Sequence, residues 1–202
     1  MEKVIILFLG YLLGSIPSAL IVGKLWKGID VRNYGSGNLG ATNVLRTLGW
    51  GPAIITGVMD VGKGVLTIFL TQRIVPKDYL FTLLSAGFAI IGHSYPLFAN
   101  FKGGRSVGVS FGILLYLFPK ATSLILPLGI LIAFLTKYKS VASITCSIIF
   151  PFILYYLERP PKEYLIGSIL VGLFIIFRHI PNIKRLIKGK ENKIEWFNKS
   201  KN

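Results

Sequence analysis

The sequence predicts an all-α integral membrane protein: a compact bundle of about seven transmembrane helices, N-terminus outside and C-terminus cytoplasmic. Three observations carry that expectation. Of the 202 residues, 52% are hydrophobic and only 15% charged, and the mean hydropathy is +0.63; this leaves too little polar material to cover a soluble domain. Seven apolar stretches follow one another along the chain. The cations are spread unevenly over the segments between them. A disordered chain is excluded, since it needs low hydrophobicity and high charge density.

The stretches run from Val4 to Val22, Gly49 to Leu70, Tyr79 to Phe101, Ser106 to Pro119, Ala121 to Thr136, Val141 to Leu157 and Tyr164 to Phe177. A span needs roughly 20 apolar residues. The fourth and seventh are short, but flanking Lys and Arg can snorkel and a small bundle can thin the bilayer locally. The first is too long for a signal core, carries Pro17 and lacks a small-x-small exit, so it is read as a span. Strands are excluded because the runs lack the alternation of a membrane barrel.

With the N-terminus outside, the inner segments hold sixteen of the 23 Lys and Arg residues and the outer segments six, with Lys63 inside the second span. No repeat or second domain is visible, so residues 1–202 read as one polytopic unit with a basic juxtamembrane tail over 178–202. The single Cys146 lies in an apolar run and forms no disulfide framework. The net charge of +15 points to an anionic membrane face and phosphorylated substrates rather than nucleic acid. Chemistry is expected on the cytoplasmic side, where the polar segments gather.

Three segments carry it. Gly35–Asn43 (GSGNLGATN) is followed by Arg46. Gly35, Gly37 and Gly40 free the backbone to approach a ligand, and consecutive N–H groups there form an anion nest. Ser36, Asn38, Thr42 and Asn43 add side-chain donors, and Arg46 supplies a planar fork for phosphate oxygens. A tight loop with a helix cap and a lipid-facing Arg46 is the plainer alternative.

Gly92–Arg105 (GHSYPLFANFKGGR) places Gly103 and Gly104 between Lys102 and Arg105. That turn suits a phosphate, although the spacing is not that of a Walker loop. His93, in an apolar run, is either a functional group or a hydrogen-bonded packing residue.

Arg178–Glu191 (RHIPNIKRLIKGKE) puts His179 at the membrane boundary with Asn182 three residues on, so one face can carry both. The cations that follow read as a polybasic segment for anionic lipid. Asp60 and Lys63 read best as a buried structural pair, with Lys63 a lesser candidate for phosphate contact. Ser140 and Ser143 either donate to phosphate or cap the sixth helix.

There is no HxxxxD acyltransferase pair, no clustered Cys/His metal set and no paired carboxylates. No metal or other cofactor is expected, and a reaction would rest on positioning and cationic stabilisation of phosphate charge.

Together SGNLGATN with Arg46, GHSYPLFANFKGGRSV and RHIPNIKRLIKGKE resemble the bacterial acyl-phosphate:glycerol-3-phosphate acyltransferases, the PlsY family, over essentially the whole chain. The resemblance implies a seven-helix enzyme of the bacterial cytoplasmic (inner) membrane, its active site facing the cytoplasm. The implied reaction moves a fatty acyl group from long-chain acyl phosphate to the sn-1 hydroxyl of glycerol 3-phosphate. The products would be 1-acyl-glycerol 3-phosphate (lysophosphatidate) and phosphate, the first step of phospholipid synthesis.

By the same resemblance, Ser36 and Arg46 are essential first-motif residues and Lys102, Gly103, Gly104 and Arg105 form a phosphate-binding loop. His179 and Asn182 are the catalytic pair, Glu191 is a structural acid and Ser143 contacts phosphate. Where this chain has Gly103-Gly-Arg-Ser-Val-Gly108, the family commonly reads GGKGVA; Arg105 keeps the charge, whereas Ser106 reduces backbone freedom.

The base that removes the hydroxyl proton is left open between His179 and the acceptor's own phosphate. A membrane transporter of phosphorylated metabolites is the alternative from another class, although alternating access usually sets a midplane site between repeats. A lipid-binding scaffold would not need glycine nests with His and Asn. A monomer is compatible with the sequence, which leaves the oligomeric state open.

Overall fold

The computed structural model describes residues 2–194; the tail cations Lys199 and Lys201 lie outside the described residues. Ten α-helices and no strand occur among them: α1 Glu2–Ser15, α2 Ser18–Lys27, α3 Ala41–Leu48, α4 Trp50–Ile74, α5 Tyr79–Ser94, α6 Val107–Leu117, α7 Pro119–Thr136, α8 Lys139–Glu158, α9 Lys162–Arg178 and α10 Ile180–Ile187. Five helical stretches are long and apolar enough to cross a membrane, or six when α9 and α10, bent by 53°, are taken as one.

Most of the expected stretches appear as helices, with three differences. The first is broken between α1 and α2, because Pro17 has no N–H to donate and cannot continue the ladder. The fourth is only the 11 residues of α6, about 16 Å at 1.5 Å per residue, against a hydrocarbon core of about 30 Å. At its start the backbone of Ser106 turns left-handed at φ 61°, which fixes where the helix begins. The seventh bends sharply after Arg178 into the amphipathic α10.

The helices pack pairwise, α1 on α5, α4 on α6, α7 on α8 and α8 on α9. Lipid cannot satisfy buried hydroxyls, so they turn back on their own helices. Thr56, Thr67 and Thr71 donate to the carbonyls of Pro52, Lys63 and Thr67 at 2.7–2.8 Å. The break after α1 is closed in a similar way, with Lys63 Nζ donating to the Ile16 carbonyl at 2.8 Å. Large apolar side chains such as Phe134, Phe152 and Leu173 point outward, as expected where the surroundings are hydrocarbon.

Candidate active site

The loop after α2 is built around one buried amide. Asn43 Oδ1 accepts from the Ser36 N–H at 2.7 Å and from its hydroxyl at 3.1 Å. Its Nδ2 donates to the carbonyls of Val31 and Tyr34. Expected as a donor to ligand, Asn43 instead spends both N–H groups shaping the loop. Gly35 and Gly37 take the positive φ that the sequence called for, whereas Gly40 is extended. Arg32, ion-paired with Asp30, ties this loop to the second segment by donating to the Ala99 carbonyl at 3.0 Å.

The glycine turn of the second segment is pinned from both sides. Gly104 N–H donates to the His93 carbonyl at 3.0 Å, and Arg178 donates to the carbonyls of Gly104 and Ser94. No side chain fits at 104: a Cβ there would lie 2.1 Å from His93 Nε2. The Ser106 hydroxyl is held by the Ile90 carbonyl and by Ser94, both at 2.8 Å.

The third segment folds back on itself. Glu191, whose side chain is only 5% exposed, accepts from Asn182, from Ser140 at 2.9 Å and from Arg185 at 2.8 Å. Arg46 donates to the neighbouring Asn192 carbonyl at 3.0 Å. His179 Nδ1 lies 2.8 Å from the Ile175 carbonyl. A carbonyl only accepts, so Nδ1 carries a hydrogen and Nε2 is the ring nitrogen left for a ligand.

These three segments converge on one cavity of about 330 Å³. Its wall includes Ser36, Asn38, Gly40, Thr42, Asn43, Arg46, His93, Arg105, Ser143, His179, Asn182 and Glu191, all singled out from the sequence. Gly37 and Gly103 face a second cavity of about 440 Å³, which shares Ser36, Asn38 and Arg105 with the first. Lys102 and Gly104 line neither. Lys63 does not reach the cavity: its ammonium is buried 3.1 Å from Asp60 Oδ1 and on the Ile16 carbonyl, so it is a structural cation rather than a phosphate contact. His93 lies buried with Nδ1 3.5 Å from the same Asp60 oxygen.

Asp60, Lys139 and Ser140 also line the cavity. The sequence placed Asp60 only in its pair with Lys63, and Lys139 only among the inner cations. An acid inside a span was the available signal for the first, and a cation one helical turn before Ser143 for the second.

Charge in the cavity is predominantly positive. Burial lowers the Arg46 and Arg105 guanidiniums, the latter to about 10 with Arg185, Arg178 and Arg46 adding to the effect; both stay charged at neutral pH. Burial opposes ionisation of Glu191 too, but the hydrogen bonds from Asn182, Arg185 and Ser140 outweigh it and hold the carboxyl below its usual 4.5. A lowered carboxylate contributes stability above its unfolded value and loses it as pH falls through the folded one. Thermal unfolding of the wild type is therefore expected to drop as pH falls from about 5 to about 3. Glu191→Gln should start lower at pH 7 and show a smaller drop over that interval.

Fold and cavity define a multi-pass helical membrane protein with a partly open, cationic, glycine-edged site suited to phosphate. The glycerol-3-phosphate acyltransferase family profile matches residues 4–189. Glycerol-3-phosphate acyltransferases from Bacillus subtilis strain 168 and Fusobacterium nucleatum are 42% and 39% identical over 194 and 191 residues, covering 95% and 93% of this chain and 97% and 96% of those proteins. Among solved structures, the glycerol 3-phosphate form of PlsY (YgiH), an integral membrane glycerol 3-phosphate acyltransferase, superposes with a TM-score of 0.90 at 33% identity over 96% of both chains. Its lysophosphatidic acid form gives 0.88 at 32%, again over 96% of each. The chain belongs to the glycerol-3-phosphate acyltransferase family.

Proposed function

We propose that this chain transfers a fatty acyl group from acyl phosphate to the sn-1 hydroxyl of glycerol 3-phosphate. It releases 1-acyl-glycerol 3-phosphate and phosphate, the first step of phospholipid synthesis. The observation that carries this reading is the junction of two spaces of opposite character. The polar cavity adjoins an apolar groove of about 130 Å³ between α6, α7, α8 and α9, and the two share the wall residues Val107, Phe111, Leu126, Lys139 and Ser143. A fatty acyl phosphate has the same division, an apolar chain joined to a phosphate through one reactive carbonyl. The glycerol 3-phosphate and lysophosphatidic acid forms of PlsY support the acceptor and the product.

Acyl phosphate is a mixed anhydride, so phosphate leaves readily and no acyl-enzyme is needed. The acceptor hydroxyl attacks the acyl carbonyl carbon, the bond from that carbon to the phosphate oxygen breaks, and phosphate departs with the electron pair and finally the hydroxyl proton. Arg46 and Arg105 hold the phosphates, while Ser36, Asn182 and nearby backbone N–H groups steady the developing oxyanion. His179 offers Nε2 to the reacting hydroxyl.

In this reading residues 1–202 act as one unit of the inner membrane, N-terminus outside and C-terminus cytoplasmic, with the cavity open to the cytoplasm. The excess of cations on that side supports the orientation and would concentrate anionic substrates there.

The test is phosphate release from palmitoyl phosphate by purified protein, with and without glycerol 3-phosphate, with palmitoyl-CoA in parallel. Release that requires glycerol 3-phosphate and yields lysophosphatidate is expected. Absence of turnover with either donor by folded protein would sink the proposal.

A further inference from the structure

Where the polar cavity and the apolar groove meet, their common wall is Val107, Phe111, Leu126, Lys139 and Ser143. Only two of the five are polar, and only one is charged. Along α8 the groove is lined by Lys139, Ala142, Ser143, Cys146, Ser147 and Phe150. Those are positions i, i+3, i+4, i+7, i+8 and i+11, a single helical face. That face grades from a cation at the cavity to an aromatic ring at the far end of the groove.

Lys139 is also the first residue of α8, which has no side-chain cap; the positive end of the helix dipole therefore points the same way. Among the described residues no carboxylate or carbonyl receives the Lys139 ammonium. The other buried or cavity-side cations of the inner motifs have assigned neighbours, except Arg105, which like Lys139 has none and belongs to the phosphate-suited turn. Lys63 has Asp60, Arg178 has Gly104 and Ser94, and Arg46 has Asn192.

The geometry points to Lys139 as a catalytic residue of the acyl transfer, a cation placed at the reacting carbonyl. This rests on the acyl-phosphate reading above. A donor whose chain lies in the groove and whose phosphate lies in the cavity must carry its carbonyl past the shared wall. There the ammonium faces the two oxygens on which negative charge grows, the carbonyl oxygen during attack and the bridging oxygen as the bond from carbon to phosphate oxygen breaks. Lys139 neither gains nor loses a proton: the hydroxyl proton ends on the departing phosphate. The charge is worth more in the transition state than in the bound donor, so its removal should act on turnover rather than on acceptor binding. The rival role is a lysine that snorkels to lipid headgroups, which would touch neither quantity.

The experiment is steady-state turnover of palmitoyl phosphate by wild type, Lys139→Met and Lys139→Arg, with the unfolding temperature of each. Lys139→Met is expected to lower kcat by about 10²-fold. Its KM for glycerol 3-phosphate and its inhibition by inorganic phosphate should stay within about threefold, because Arg46 and Arg105 are untouched. Lys139→Arg should recover kcat to within about tenfold of wild type. A kcat for Lys139→Met within threefold of wild type, or a loss that arginine does not recover, overturns the assignment. A wild-type protein with no glycerol 3-phosphate-dependent turnover would instead fail the acyl-transfer reading, and this inference with it.

Discussion

Arg105→Ala is expected to lower kcat/KM for glycerol 3-phosphate by about 10²–10³-fold, while Arg105→Lys stays within about tenfold. The side chain borders both polar cavities. No hydrogen bond or ion pair engages it among the described residues. Three of its four charged neighbours are cations: burial first, then Arg185, with Arg178 and Arg46 contributing, lowers it to about 10 against the pull of Glu191. A half-buried cation among cations is stabilised by an anion from outside, which is what a phosphate-bearing substrate brings. Alanine removes that attraction together with the bidentate fork. Lysine keeps the charge and loses only the fork. The unfolding temperature should not fall, since burial and the three cations outweigh the attraction of Glu191. Phosphate release at varied glycerol 3-phosphate measures the effect, and an alanine variant within threefold of wild type would remove Arg105 from the site.

Gly14→Val should prevent recovery of folded protein, and Gly14→Ala should lower the unfolding temperature by about 5–10 °C. A Cβ at this position would lie 2.1 Å from the Ala89 carbonyl oxygen and 2.8 Å from its Cα. Both are backbone atoms of α5, so no flexible side chain can yield. The contact belongs to the most extensive helix pair, where α1 meets α5 through small residues such as Gly10, Ala89 and Gly92, and close backbone approach is what drives association in lipid. Gly62→Ala serves as the control, since nothing lies within 4 Å of its Cβ position. It should be neutral or slightly stabilising, because alanine favours helix. Fluorescence-monitored thermal unfolding of the purified variants decides the matter, and equal behaviour of positions 14 and 62 would refute the packing argument.

Helical class and the polar segments were legible in the chain because each depends on neighbours in sequence. Long apolar runs require backbone satisfaction within the segment, and glycines, hydroxyls and cations a few residues apart form nests and forks locally. Hence Ser36, Arg46, Arg105, His179 and Asn182 could be named before any folding was considered, and all five line one cavity. The shortness of the fourth stretch was visible too, and α6 begins one residue after the expected Ser106. The break at Pro17 was harder to read, because it depends on how the bundle closes: Lys63 from α4 satisfies the broken end of α1. Asn43 looked like one more ligand donor, and the carbonyls that consume its amide come from Val31 and Tyr34 in the preceding turn.

Composition, hydropathy and charge sidedness determined what kind of molecule this is and which three segments hold its polar chemistry, since those properties belong to residues and short runs. Only the tertiary structure decided what those segments do to one another. It turned Glu191 into a hub for α8 and α10, took Lys63 out of the site, and brought Lys139 of α8 to the boundary between a polar cavity and an apolar groove. The physical reason is that the deciding contacts, Lys63 to Ile16 and Ser140 to Glu191, join residues 47 and 51 positions apart. Their energies depend on distance and burial, which helix packing sets.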